Sequence, residues 1–384
     1  MLELSPWYDG REQSYVKHYV LEQYLLRFGP IVGSWCNTIN YIDSFAGPWE
    51  NRHPEYRDTS FQIAVECLRG AREFVREKFG RDLRLRCLFL EKEKRKYPEL
   101  LRYTQSLADI EATALNEEFE TAVPAMLRFV REVPDSFTFL FVDPKGWSGF
   151  AMESMAPLLR VRPGEVLINL MTGHIRRFLE TEKSAASFVK LFGRDIRQQL
   201  KGLVGDEREE KAVGEYMRSV KSTGEFLYVG SAIVFKPEIE TPHFHLIYAT
   251  RKNKGVSEFK EVEKKLFDVA NDVRSAAKER RRELTTGLSS MFSPQEIHKS
   301  TAMIERRTRY LAMARERVLR KLIRSRSVPY EIIWRMALAF PLVWDSDLKE
   351  WIETWRTEGR LTIPTLTGRR RVPKPEVDTV EWIG

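Results

Sequence analysis

The sequence predicts an α/β fold built on an open, mainly parallel sheet closed by an antiparallel edge hairpin, and three observations carry that prediction. Residues 39–48, Ile-Asn-Tyr-Ile-Asp-Ser-Phe-Ala-Gly-Pro, form a β-branched and aromatic run that ends on an acid, Asp43, and breaks at Ala46-Gly47-Pro48. The pattern returns about a hundred residues on, where Phe-Thr-Phe-Leu-Phe-Val stops at Asp143-Pro144-Lys145-Gly146. Between and beyond these two segments, strand-like and helix-like patterns alternate, the order that yields parallel strands with right-handed crossovers. Ligands of such sheets bind outside the carboxyl ends of the strands, so both acid-turn segments are candidate site segments.

The elements follow in order. Residues 13–28 carry Tyr15, Tyr19, Leu21, Leu25 and Phe28 at helical spacing, and Gly29-Pro30 is expected to stop that helix. The first strand covers about 38–45 and a polar loop 50–58. A helix over 59–79 follows, with Gly80 as its C-cap. Residues 83–90 make the second strand and end in Glu91; a helix around 95–107 leads to a third strand, 110–115, ending at Asn116. A helix over 118–132 precedes the fourth strand, 137–142. Residues 151–160 are helical, and 166–171 form the fifth strand. After a mainly helical stretch, 174–222, two strands at 226–235 and 244–250 come without a long helix between them, which predicts an antiparallel hairpin at the sheet edge.

At 384 residues the chain exceeds one typical domain. The expected division is a Rossmann-like domain over 1–255, a basic helical segment over 256–326 and a small winged helix-turn-helix over 327–384. In the middle segment Ser293-Pro294-Gln295-Glu296 reads as a capping box, and 325–329 as a linker. The last segment has its own apolar set, including Trp334, Trp351 and Trp355, two helices, and a basic hairpin turning at Gly368. Such a module docks on nucleic acid or protein or, alternatively, is a structural cap on the main domain. The net charge is +8, but residues 251–326 hold about 21 Lys/Arg against about 10 Asp/Glu. A basic excess concentrated in one segment is the footprint of a nucleic-acid binder or, alternatively, a solvated helix pair. No run of about 18 apolar residues exists, so no membrane span is expected, and the N-terminus lacks a signal pattern. Three scattered cysteines point to a reducing, cytoplasmic setting. The six histidines form no metal set.

A sheet of five parallel strands closed by an antiparallel hairpin resembles that of Rossmann-like, class I S-adenosylmethionine-dependent methyltransferases. On that likeness the strand ends gain roles as candidates. Asp43 takes the amino end of the donor, directly or through water; the Ser44-Phe45-Ala46-Gly47 turn lets backbone approach it; Glu91 accepts the ribose hydroxyls; Asn116 reads adenine. An acid after a strand is also an ordinary turn or helix cap, but four polar strand ends in succession are harder to set aside. Asp143-Pro144-Lys145-Gly146 falls where enzymes that methylate base amines often carry Asp/Asn-Pro-Pro-aromatic. There a carboxylate and a proline carbonyl accept the amine hydrogens. Lys145 is a candidate base or phosphate contact or else only faces solvent, and Trp147 either stacks on a substrate base or belongs to the core.

Taken together, Tyr41-Ile-Asp-Ser-Phe-Ala-Gly-Pro48, Phe89-Leu-Glu91, Asn116, Val142-Asp-Pro-x-Gly146 and His245-Leu-Ile-Tyr-Ala-Thr-Arg-x-Asn-Lys-Gly255 resemble the three-Cys-motif partner protein family of bacteria and archaea. The likeness spans about residues 10–260. It implies a methyltransferase fold using S-adenosylmethionine, association with a separate three-cysteine protein, and a C-terminal winged helix-turn-helix. A weaker similarity to adenine-N6 methyltransferases of ribosomal RNA adds Lys17 and His18 at the cofactor or substrate entrance. Two positions depart from the family pattern: Trp49 stands where glycine usually follows Phe-Ala-Gly-Pro, and Lys145 replaces an aromatic or small residue. The expected activity is methylation of a base amine of RNA or DNA; the alternative is a non-catalytic nucleic-acid-binding or partner-recruiting scaffold.

Overall fold

A computed structural model of the chain describes residues 6–47, 51–173, 175, 182–236, 241–287, 301–366 and 372–384. Its centre is a seven-stranded sheet of β1 (Thr38–Asp43), β2 (Arg84–Leu90), β3 (Glu111–Leu115), β4 (Phe137–Val142), β5 (Gly164–Leu170), β6 (Tyr228–Phe235) and β7 (Pro242–Thr250). The order is β3-β2-β1-β4-β5-β7-β6. Strands β1 to β5 are parallel, whereas β7 runs antiparallel to both β5 and β6. This is the expected sheet, five parallel strands closed by an antiparallel edge hairpin. The central strands β1 and β4 are buried at every residue, which is why they read as continuous apolar runs rather than alternating ones.

Helix α1 (Glu12–Gly33) continues through Pro30 instead of stopping at Gly29. The lost amide bond is offset by burial of Phe28 and Val32 on either side. Gly29 has a packing role: a Cβ there would sit 2.4 Å from the Cβ of Ala71, so the bare backbone lets α2 (Ser60–Phe79) lie close. Helix α2 begins and ends as expected, with the Thr59 side chain accepting from the Gln62 amide and Gly80 in the left-handed region. Helices α3 (Tyr97–Ser106), α4 (Phe119–Arg131) and α5 (Met152–Leu159) make the next crossovers. Helices α6 (Glu182–Phe192), α7 (Arg197–Leu200) and α8 (Gly205–Gly224) occupy the stretch before β6.

The basic segment forms α9 (Asn253–Thr286) and α10 (Thr301–Ser325). The capping box at 293–296, together with Trp49 and the tip of the basic hairpin at Gly368, falls outside the described residues. Beyond α10 lie β8 (Ser327–Pro329), α11 (Tyr330–Leu338), α12 (Asp345–Thr357), β9 (Leu361–Thr362) and β10 (Thr379–Trp382). The three strands form a second antiparallel sheet, β8-β10-β9. The stretch read as a linker is therefore an edge strand, too short to show periodicity but anchored by buried Val328. The C-terminal core runs without a break into the core beneath α9. Buried polar ties join the two: Lys260 donates to the Phe340 carbonyl at 2.8 Å, and the Leu342 amide donates to Glu263 at 2.9 Å. Among the described residues no helix is long and apolar enough to cross a membrane.

Candidate functional site

A cavity of about 230 Å3 opens at the carboxyl rim of the sheet. Lys17 of α1, Phe45 and Gly47 after β1, Ser60 of α2, Asp143-Pro144-Lys145 after β4 and Asn169 of β5 line it. Asp143 is the centre of its polar wall. Lys17 forms an ion pair with Oδ2, and the Asn169 amide donates to Oδ1 at 2.7 Å. Both members of the pair are only 13–15% exposed, so their contact is sheltered from solvent screening. Asn169 keeps its Oδ1 buried without a donor. Sequence reading passed over Asn169, although a lone amide inside Val-Leu-Ile-Asn-Leu-Met was a signal: buried polar side chains in strands need partners.

Asp43 lies one layer behind this cavity. It is fully buried; Ser60 Oγ donates to Oδ2 at 2.6 Å and the Phe45 amide to Oδ1 at 3.2 Å. Its reach to the cavity is therefore through Ser60. Burial pushes its carboxyl up to about 7, against the two hydrogen bonds and the Lys17 charge that hold it down. Because the folded value lies above the ordinary 3.8, the native state keeps a proton that the unfolded chain releases. Its contribution to stability is thus lost as pH rises from about 4 to about 7. Asp43→Asn, which cannot ionise, should shrink the difference in unfolding free energy between pH 4.5 and 7.5, read by urea titration.

The other residues of this turn also make contacts that hold the turn in place. Ser44 gives both its amide and its hydroxyl to the Phe141 carbonyl, at 3.0 and 2.8 Å, and the Ala46 amide bonds the Leu90 carbonyl at 2.9 Å. They knit the turn after β1 to β4 and β2. Phe45 stacks on Phe119, 5.7 Å away. Trp147 does not line the cavity; it stacks on Phe188 at 4.4 Å, beside the second core cluster. It is partly buried and packs against that cluster, the contact expected of the second of the two roles open to it from sequence.

Glu91 and Asn116 stand at the next strand ends, outside the 230 Å3 cavity, and are joined to each other. The Asn116 amide donates to the Glu91 carbonyl at 2.7 Å. Glu91 is 2% exposed; its Oε1 accepts from the Glu93 amide at 2.6 Å, and its Oε2 is buried without a donor. Burial raises its carboxyl, with the Lys96 and Lys145 charges opposing. Lys145 lines the cavity, and its charge is felt at Glu91.

His18 lines the same cavity and shares a hydrogen bond of 2.9 Å with the Tyr8 hydroxyl. Burial, then the Lys17 and Arg11 charges, pushes its imidazole well below the usual range, so the ring is neutral. Arg11, unmarked in the sequence, pairs with Asp58, which also accepts the Arg52 amide at 2.9 Å and fixes the loop over the start of α1. On the far side of His18 and Asp58 a second cavity, about 310 Å3, is walled by Trp7, Tyr8, Tyr15 and Tyr19.

Some of the basic segment's charge is used inside the protein. Arg306 bonds Asp206 and Glu210, Arg309 bonds Glu210, Arg307 bonds Asp347 at 2.8 Å, and Arg280 bonds Asp9 and Glu12 at 2.9 and 3.1 Å. Lys260 and Glu263 form a buried pair. Four arginines of the segment thus tie α9 and α10 to α8, α12 and the chain at the start of α1.

No protein-family profile matches the chain, and no curated protein matches it. Two of the solved structures that are similar at low level are methyltransferases by name. One is a loganic acid methyltransferase with SAH, at 9% identity over 72% of this chain and 90% of that one, TM-score 0.33. The other, from Galdieria sulphuraria, is assigned as a sarcosine dimethylglycine methyltransferase, at 10% identity over 60% and 86%, TM-score 0.23. At that distance neither transfers a residue role to this chain.

Proposed function

We propose that the chain is an S-adenosylmethionine-dependent methyltransferase whose acceptor is an exocyclic amine of a nucleic-acid base. The observation that carries this is the rim itself: on a sheet of methyltransferase order, Asn169 Oδ1 is orphaned within the Asp143 cluster and Glu91 Oε2 is orphaned at the end of β2, outside that cavity. A buried acceptor without a donor is costly, about 1–3 kcal/mol, and both are suited to a ligand rich in donors. Ribose hydroxyls fit Glu91, with Asn116 beside it for the adenine. An ammonium fits the Asn169 side, where Ser60 backed by Asp43 completes the wall. The bound donor would supply an electrophilic methyl group.

The residues of this chain would then act on the acceptor. Asp143 and the Pro144 carbonyl accept the amine hydrogens and aim the nitrogen lone pair at the methyl carbon. As the N–C bond forms and the C–S bond breaks, the surplus proton leaves the nitrogen through this carboxylate or solvent. The aromatic cavity of Trp7, Tyr8, Tyr15 and Tyr19 offers stacking faces next to the donor cavity, as an unstacked base requires. The compact C-terminal unit, read as a winged helix-turn-helix, and a separate three-cysteine protein are the partners of this reading.

Isothermal titration with S-adenosylmethionine should give saturable binding. Labelled methyl transfer onto total RNA, DNA and the small-molecule fraction of a cell extract, with and without the three-cysteine protein, should mark nucleic acid. Association with that substrate should weaken steeply with salt. Label only in the small-molecule arm would keep the enzyme and replace the acceptor; no binding of the donor would favour the non-catalytic scaffold.

A further inference from the structure

A larger cavity, about 580 Å3, lies between α8, the β6–β7 hairpin, α10 and α11, and shares no residue with the site above. Ser231 of β6 and His245 of β7 sit in its floor. They share a sheet face, since Ser231 pairs with Ile247 and His245 with Ile233 in the antiparallel register. Both are buried, at 0% and 2% exposure, and Ser231 Oγ and His245 Nδ1 have no hydrogen-bond partner. Polar groups so deep are normally satisfied, and here the open side is the cavity. Met217, Met313 and Phe340 give it apolar walls.

Its mouth is cationic in an unusual way. Lys211 and Arg218 pair with Glu215, and Arg309 with Glu210. Among the described residues, however, Lys221, Arg317 and Arg335 pair with no carboxylate. They crowd one another: burial first, then the Arg335 and Arg317 charges, push the Lys221 ammonium down. Three like charges gathered beside an apolar hollow are an arrangement that an anion would relax. The hollow's volume falls within the range of small-molecule sites, about 300–1,000 Å3.

We propose that this cavity is a second ligand site, for a small organic anion. A phosphate or carboxylate is held by Lys221, Arg317 and Arg335. An apolar body lies between Met217, Met313 and Phe340, and a polar group on that body meets Ser231 and His245. At neutral pH His245 is uncharged, since burial pushes its imidazole down to about 3, so it offers hydrogen bonding rather than charge. The proposal does not depend on the methyl-transfer reading.

The probe is 8-anilinonaphthalene-1-sulfonate, an aromatic body with one anionic group. Its fluorescence on titration into the full chain should saturate at one site. Arg317→Gln/Arg335→Gln should weaken it at least tenfold, with the far-UV circular dichroism and melting temperature of the parent. Lys221→Met, which removes one charge without touching a salt bridge, should weaken it about threefold and serves if the double variant misfolds. Donor titration at the sheet rim should be unchanged in both. Absence of saturable binding, or equal affinity in a folded variant, overturns the proposal.

Discussion

Asp143→Ala should lower methyl transfer by about 10²–10³, the loss seen when one preorganised polar contact to a reacting group is removed. The expectation rests on geometry. Asp143 is gripped on both oxygens, by Lys17 and by Asn169, so its carboxylate is oriented before any acceptor arrives. Such prior fixing is what makes a polar group effective in a transition state rather than in a bound ground state. Asp143→Asn should fail nearly as badly, because an amide NH2 would face either the Lys17 ammonium or the Asn169 amide. The stability cost of the Ala variant should be smaller, about 1–3 kcal/mol. Lys17 retains partial exposure and its flexible stem can turn to water. Kinetics and calorimetry separate the outcomes. Donor binding close to the parent with lost turnover supports the role. Turnover within threefold of the parent removes Asp143 from the reaction.

Asn169 is a positioning residue for the same step. Its effect should appear in kcat more than in KM, because it holds Asp143 rather than the substrate.

The sheet was legible because its central strands are buried on both faces and so are written as unbroken apolar runs with acids at their ends. The helix break at Gly29-Pro30 misled because a local rule was applied where tertiary packing decides: Phe28 and Val32 hold the helix together across the proline. The strand at 327–329 was invisible because three residues carry no period. The site was legible in halves. Asp143 and the β1 turn announced themselves, but the partner of Asp143 on α1 is 126 residues away, a distance at which only likeness to other proteins pointed to Lys17. Counting charge also has a limit. The basic segment looked free because its acids, Asp206, Glu210 and Asp347, lie elsewhere in the chain.

The motif that runs from His245 to Gly255 serves packing. Arg251 reaches four backbone carbonyls, those of Leu159, Val161, Gly164 and Gly224, and lies 4.4 Å over the Phe226 ring. It thereby closes the ends of α5, β5 and α8 around one guanidinium, a use of the planar fork that lysine cannot reproduce.

Gly255 completes that motif, and Gly255→Ala should lower unfolding free energy by about 2–4 kcal/mol. Glu165 is buried beneath the first turn of α9, its carboxyl raised by burial. Tyr24 donates to it at 2.6 Å and Thr250 at 2.7 Å, while the Tyr24 and Tyr248 hydroxyls bond each other. A Cβ at position 255 would lie 2.4 Å from the Tyr248 hydroxyl, 2.5 Å from Glu165 Oε1 and 3.1 Å from the Thr250 hydroxyl. These atoms fix one another, so making room means breaking at least one buried hydrogen bond. Helix propensity works the other way, favouring Ala over Gly by about 1 kcal/mol, and is smaller than the clash. Tyr248→Phe removes the nearest atom. The double variant should therefore recover about 1 kcal/mol relative to the sum of the two single changes, the coupling that contacting residues show. Urea unfolding of the four proteins measures it. If Gly255→Ala is more stable than the parent, or the two substitutions add, the network does not constrain this turn.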